Sequence, residues 1–295
     1  RYRRCLRRRN GTQPLWPSGL GAGKLDWLGA FRIDGVSLLL SAWNGSVYNW
    51  LTGVGPVALL NATGKLTDGL LTSFAWVAGA VYAGDGTRPN VRITSTRVDQ
   101  ALPAAPLTAP TATDAGVGLL SAGTYQYKVV FLSAAGVETE AGPASSALTI
   151  AATRYINLTA IPLGAAGEDV SGRRLYRTSD AGTTYYRLAT INDNTTTTYT
   201  DNTADLTGNT EISTGRAALP PCRYLVEHHH RACGAGSLGA DGDERTLYIS
   251  NFGEPEVSPA SPNLTLVTEG TRISLSGEVD GKIMALASHG DKLWV

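Results

Sequence analysis

The sequence predicts an all-β protein: a β-propeller-like host fold interrupted by an inserted immunoglobulin/fibronectin-III-like β-sandwich. Three observations predict it. Hairpin phrases with Gly-containing turns recur in the first and last thirds of the chain. In residues 1–102 no window of helical length shows clean apolar spacing at three and four residues. From Thr111 to about Thr214 the composition changes, with Thr, Ala and Gly rising and Trp vanishing. The divisions are 1–102 (the first propeller-like stretch), 107–214 (the inserted sandwich) and 216–295 (the second propeller-like stretch).

The first stretch is built on one repeated phrase. Leu38 to Trp50, LLLSAWNGSVYNW, reads as strand, Asn44-Gly45 turn, strand. Ser73 to Asp85, SFAWVAGAVYAGD, repeats it with a turn at Ala78-Gly79, and the two copies set their tyrosines, Tyr48 and Tyr82, 34 residues apart. Met284 to Val295, MALASHGDKLWV, is a third copy turning at Gly290-Asp291. Asn-Gly between apolar runs signals a hairpin because a type I′ turn needs positive φ at both central residues. Hairpins recurring every few tens of residues point to blades of a propeller or a similar array.

Residues 103–110, PAAPLTAP, read as a linker, since three of the eight lack a backbone donor. Beyond them strands are expected at Thr124–Ser133, Ser146–Ala151, Tyr155–Leu158, Arg174–Thr178, Tyr185–Ile191 and Thr195–Thr200. Tyr125, Tyr127 and Val129 share one face. The last three strands form a meander with turns at Asp180-Ala181-Gly182 and Asn192-Asp193-Asn194, residues that tolerate left-handed backbone or bond their own main chain. Six or seven short strands in about a hundred residues is the pattern of an immunoglobulin-like sandwich. After Gly215 the earlier style returns, with a strand expected over Arg223–Arg231 followed by a Gly-rich turn. The two host stretches together hold 182 residues, roughly four blades at ~40–45 residues each. The chain starts at Arg1 rather than Met and stops inside the strand-like KLWV, so a fragment or a processed product is expected.

Composition narrows the function classes. Hydrophobic residues make up 42% and charged residues 17%, with 25 basic and 25 acidic side chains. Net charge therefore gives no pull toward nucleic acid or a membrane surface. The basic run Arg1–Arg9 reads as an exposed strand or terminus, although it could touch phosphate. No apolar run is long enough to span a bilayer, and no signal peptide is recognisable. Cys5, Cys222 and Cys233 are too few for a disulfide framework; a Cys222–Cys233 bridge across a hairpin is weighed and not expected.

The motifs that could carry chemistry are weak. In the triple His228-His229-His230, His228 and His230 on a strand would share a face and could bind a transition metal near Cys233, but beyond the triple His289 is the only other histidine and no further ligand has the right spacing. Ser18–Lys24, SGLGAGK, fails both the phosphate-loop and the dinucleotide patterns. Asp26, Asp34, Asp68, Asp85, Asp241, Asp243, Glu244, Glu254 and Glu256 are scattered, and paired acids for glycoside hydrolysis must lie roughly 5–10 Å apart. The run Asp241-Gly242-Asp243-Glu244 lacks the ligand spacing of a Ca²⁺ loop. The sequons at Asn44, Asn61 and Asn263 are common by chance in a Thr-rich chain. No catalytic, cofactor or metal site is expected, and no cofactor.

Thr178 to Tyr185, TSDAGTTY, matches the Asp-box pattern through Thr178, Asp180, Gly182, Thr184 and Tyr185, and resembles the hairpin turns of sialidases and some sugar-binding propellers. Such turns are not catalytic centres. RRLYRTSDAGTTYYRLATINDNTTTTYTD resembles the fibronectin-III-like modules of bacteriophage virion proteins. LPPCRYLVEHHHRACGAG with RTLYISNFGEPE resembles a phrase of phage tail proteins with propeller-like cores, through His229-His230-Arg231, Leu247-Tyr248-Ile249-Ser250 and Gly253-Glu254-Pro255-Glu256; His230 stands where that phrase often has Asn. The resemblance covers residues 171–256. It implies a virion structural protein, most like the tail nozzle or hub of a short-tailed phage. Its implied partners are copies of itself in a ring, usually sixfold, the portal–adaptor and tail fibre proteins, and DNA in transit, with a host-surface glycan as a further candidate. Near-neutral charge suits a DNA conduit, because a basic lumen would hold phosphate. The rival expectations are a carbohydrate- or receptor-binding protein, favoured by Trp43, Trp50 or Trp76 exposed in a groove, and a propeller glycosidase with two carboxylates facing across a pocket.

Overall fold

The computed structural model describes residues 25–51, 54–238, 243–258, 270–274 and 282–295. Among them there is no helix, and every named sheet is antiparallel and open. The expectations for Arg1–Arg9, Cys5, Ser18–Lys24, Asp241 and Asn263 lie outside the described residues.

The first sheet is an up-and-down meander of β1 (Leu25–Ile33), β2 (Val36–Trp43), β3 (Ser46–Leu51) and β4 (Gly55–Ala58). The second repeats that order with β5 (Ser73–Val77), β6 (Ala80–Gly84), β7 (Val91–Ile93) and β8 (Val98–Gln100). The expected turns lie where the sequence puts them. Asn44 and Gly45 have φ of 49° and 67°, and Ala78 and Gly79 have 48° and 83°, the left-handed pair that a tight hairpin needs.

The segment after the proline-rich stretch forms sheets of its own. It contains β9 (Thr111–Leu120), β10 (Gly123–Tyr125), β11 (Tyr127–Leu132), β12 (Leu148–Ile150), β13 (Arg154–Thr159), β14 (Gly172–Thr178), β15 (Tyr185–Ile191) and β16 (Tyr199–Asp201). One sheet runs β16-β13-β9 and another β11-β14-β15, with β10 paired to β12. Tyr125, Tyr127, Val129 and Phe131 meet Ile156, Leu158, Leu175 and Ile191 in one core, so the sheets face each other. Two expectations are corrected. β9 is an additional strand that the sequence pattern does not predict. Thr195–Thr200 shrinks to the short β16, because the Asp193 carboxylate accepts the backbone N–H of Thr195 and Thr196 (2.8 Å each) and holds them in a turn.

After this segment come β17 (Tyr224–His228), β18 (Arg231–Ala235), β19 (Thr246–Ile249) and β20 (Thr271–Ser274), a third four-stranded meander, and then the hairpin β21 (Ala287–His289) and β22 (Lys292–Trp294). The single strand expected over Arg223–Arg231 is in fact a hairpin. It folds back at His229 and His230, and the predicted Gly-rich turn is strand β18.

These sheets stack face on face in a fixed order, and strand alternation does it. In β6, Val81 and Ala83 enter the core shared with the first sheet, whereas Ala80 and Tyr82 enter the core shared with the third. In β18, Ala232 faces the second sheet, and Cys233 and Ala235 face the side of the last hairpin. Sheet β5–β8 therefore packs against sheet β17–β20 although the whole of 107–214 lies between them in the chain.

Candidate functional site

The sequence's one site-like turn proves to be a structural joint. Asp180 lies between β14 and β15, and its Oδ1 accepts the backbone N–H of Thr124 at 2.7 Å, while Ala181 N donates to Thr124 O at 2.9 Å. The carboxylate thus staples the tip of the meander to β10. A Cβ on Gly123 would lie 2.5 Å from that oxygen, so a larger residue there would have to displace the carboxylate.

The histidines are divided by the turn. His229 and His230 have φ of 49° and 59°. His228 Nδ1 lies 2.9 Å from Ser288 Oγ, and His230 packs edge-on to Phe252. The tip is held by Glu227, whose carboxylate accepts His230 N at 2.8 Å. Among the described residues no group of three His, Cys, Asp or Glu could hold a metal ion. Cys222 and Cys233 are buried free thiols lying in different cores, Cys222 against sheet β5–β8 and Cys233 on the other face of its sheet. Burial pushes the Cys222 thiol up and the Cys233 thiol up to about 12, so neither is a reactive thiolate.

Most of the scattered carboxylates carry structure. Asp85 is buried; its Oδ2 accepts Thr67 N (2.6 Å), and its Oδ1 accepts Thr87 N and Arg88 N (2.7 and 2.9 Å). Asp34 takes positive φ in the β1–β2 turn. Asp243 accepts Arg245 N and the Thr246 hydroxyl, and Glu244 pairs with Lys282. Glu254 pairs with Arg216 at 2.9 Å. Among the tryptophans, Trp43 and Trp50 are half-buried on sheet β1–β4, and Trp76 is 48% exposed.

Glu256 differs from the other carboxylates. It is buried, its Oε1 accepts the Tyr82 hydroxyl at 2.5 Å, and its Oε2 has no hydrogen-bond partner. Burial pushes its carboxyl up, opposed by the Tyr82 hydroxyl and by Arg92, and Glu254 adds to the rise. A carboxylic acid that keeps its proton tolerates such a site far better than a bare carboxylate. Nearby, Asn90 donates to Leu219 O and Pro220 O, and Cys222 N donates back to Asn90 Oδ1. Together these groups weld the segment returning from β16 onto sheet β5–β8.

Two concave features lie between the stretch β1–β8 and the segment 107–214. One cleft of ≈ 360 Å³ is lined by Asn61, Lys65, Arg88, Gln100 and Gly167 among others. A second, also ≈ 360 Å³, is lined by Arg92, Arg97, Asp99, Asp169 and Ser171 among others. Sequence reasoning missed this junction, and Asp169 in particular. The two carboxylates that line the second cleft are both engaged by cations, Asp99 by Arg97 and Asp169 by Lys65. Compared with known proteins, the chain matches no family model and no curated protein. Among the described residues no helix is long and apolar enough to cross a membrane.

Proposed function

We propose that the chain is a structural virion protein of a tailed bacteriophage, a nozzle or hub component of a short tail. In this reading β1–β8 and β17–β22 are blades of a propeller-like host, and 107–214 is an inserted immunoglobulin/fibronectin-III-like sandwich. The observation that carries it is the order of packing. Successive four-stranded meanders stack face on face, and the stack continues across the long intervening segment, which keeps its own core. Repeated meanders of this kind are the building unit of a propeller. The resemblance of residues 171–256 to phage modules supplies the setting, and the near-neutral charge suits a channel that DNA must leave freely. The carboxylates, thiols and histidines that would signal chemistry are engaged in turns, ion pairs or cores, which favours a mechanical role over a catalytic one.

Particle imaging tests this reading. The expected result is density for this chain as a ring on the portal axis, below the adaptor. Density only on peripheral appendages, or none in the particle, would reject it. The alternative, a carbohydrate- or receptor-binding tail protein, is favoured by one observation, the exposed indole of Trp76, since exposed aromatic faces stack on sugars. A glycan array with the chain and its Trp76→Ala variant separates the two: binding lost in the variant supports the sugar reader, and no binding to any glycan removes it.

A further inference from the structure

We infer that the module 107–214 is an arm locked at a set angle on the host by a polar clamp centred on Asp169, rather than a loosely tethered guest. The inference stands on the geometry of the junction and does not rest on the phage reading. Asp169 lies in the loop between β13 and β14, with φ of 57°. Its Oδ1 accepts Asn61 Nδ2 at 2.8 Å, and its Oδ2 accepts the backbone N–H of Gln100 at 2.7 Å and pairs with Lys65 Nζ. Lys65 also donates to Gly167 O at 2.9 Å. The ion pair is well shielded, with side-chain exposures of 12% and 10%, so water screens it little.

Both jaws are stiff. On the module side, Val170 packs against the module core, and Gly164 exchanges hydrogen bonds with the Asn194 amide (2.9 and 3.0 Å). On the host side, Leu59, Ala62 and Leu66, which flank Asn61 and Lys65, are buried in the core of the first two sheets. A second tie lies at the exit from the module. Arg216 Nε donates to Glu138 O at 2.8 Å, its backbone N–H donates to Glu140 Oε2 at 2.8 Å, and its Nη2 pairs with Glu254 at 2.9 Å. One residue thereby joins module, linker and host. Each of the hydrophobic cores on the two sides draws its residues from the host alone or from the module alone, so the ties named here are polar. The angle of the arm therefore depends on a few named polar groups.

The test is a distance measurement between spin labels at Val57→Cys and Val117→Cys in a Cys5→Ser background of the full chain; both label sites are exposed and Cys222 and Cys233 are buried. The parent should give one narrow distance. Asp169→Ala, and separately Lys65→Met on the host side, should broaden it, and the Gln100 amide should exchange hydrogen about tenfold faster in Asp169→Ala, as expected for a lost bond to a charged acceptor. Lys65→Met leaves the module untouched, so it decides the matter even if Asp169→Ala disturbs the module's fold. A broad distribution in the parent, or a Lys65→Met distribution as narrow as the parent's, would overturn the inference.

Discussion

Single residues at the tip of β17–β18 show how much a local rule can hide. His229 and His230 both adopt left-handed backbone, a conformation that costs a non-glycine residue about 1 kcal/mol or more. Nothing in the HHH run announces a turn, so alternation alone reads it as continuous strand. The double substitution His229→Asn with His230→Gly should stabilise the chain by about 1 kcal/mol, because Asn-Gly is the favoured type I′ pair; an unchanged denaturation midpoint would refute that. Glu256 gives the second residue-scale prediction. Its carboxyl is raised above the ordinary 4.5 by burial, so the folded state holds the proton more tightly than the unfolded chain. The stability linked to that proton is fully present below pH 4.5 and is lost as pH rises through the folded value. Melting curves of the parent and Glu256→Gln should run parallel below about pH 4.5, with the parent falling relative to the variant above it. A difference that stays constant from about pH 4 to 8 would show that Glu256 is not proton-linked.

At the scale of elements, strands are legible where the pattern is apolar and obscured where a side chain captures the backbone. Tyr185–Ile191 is read from its residues without error, and Arg174–Thr178 lacks only its first two residues. Thr195 and Thr196 have strand-forming side chains, yet Asp193 takes their N–H groups first. β9, TATDAGVGLL, has too little alternation to announce itself; its pairing with β13 holds it extended. Beneath these sheets lies a buried polar joint: Arg177 pairs with Asp201 at 2.6 Å, and the Tyr127 hydroxyl donates to the same carboxylate at 2.9 Å. Removing one member of such a pair leaves a charge stranded in the core. Asp201→Asn should cost about 3–5 kcal/mol, read as an earlier transition of the module in denaturant; a loss under about 1 kcal/mol would mean the pair is dispensable.

For the whole molecule, the stacking of sheets decides which regions depend on one another. Sheet β5–β8 meets sheet β17–β20 directly through Ala75, Val77, Tyr82, Leu225 and Tyr248, contacts that do not involve 107–214. Deleting 107–214 should therefore leave the host sheets folded and, on the proposed reading, able to assemble. Loss of assembly in the deleted chain would count against an inserted, outward module. At the clamp, the deleted chain keeps Asn61, Lys65 and the Gln100 backbone N–H and loses only their acceptor Asp169, and water can solvate the groups left behind.

The sequence by itself determined the all-β class, the hairpins at Asn44-Gly45 and Ala78-Gly79, and the change of style at Thr111 and Gly215. These are local properties, set by turn chemistry and by side chains two residues apart. Only the tertiary structure decided which faces stack and what the carboxylates do. Asn61 reaches Asp169 across 108 residues, and Tyr82 reaches Glu256 across 174. A carboxylate's role is fixed by the donor that folding brings to it and by the water that folding takes away, and neither is written in the residues beside it.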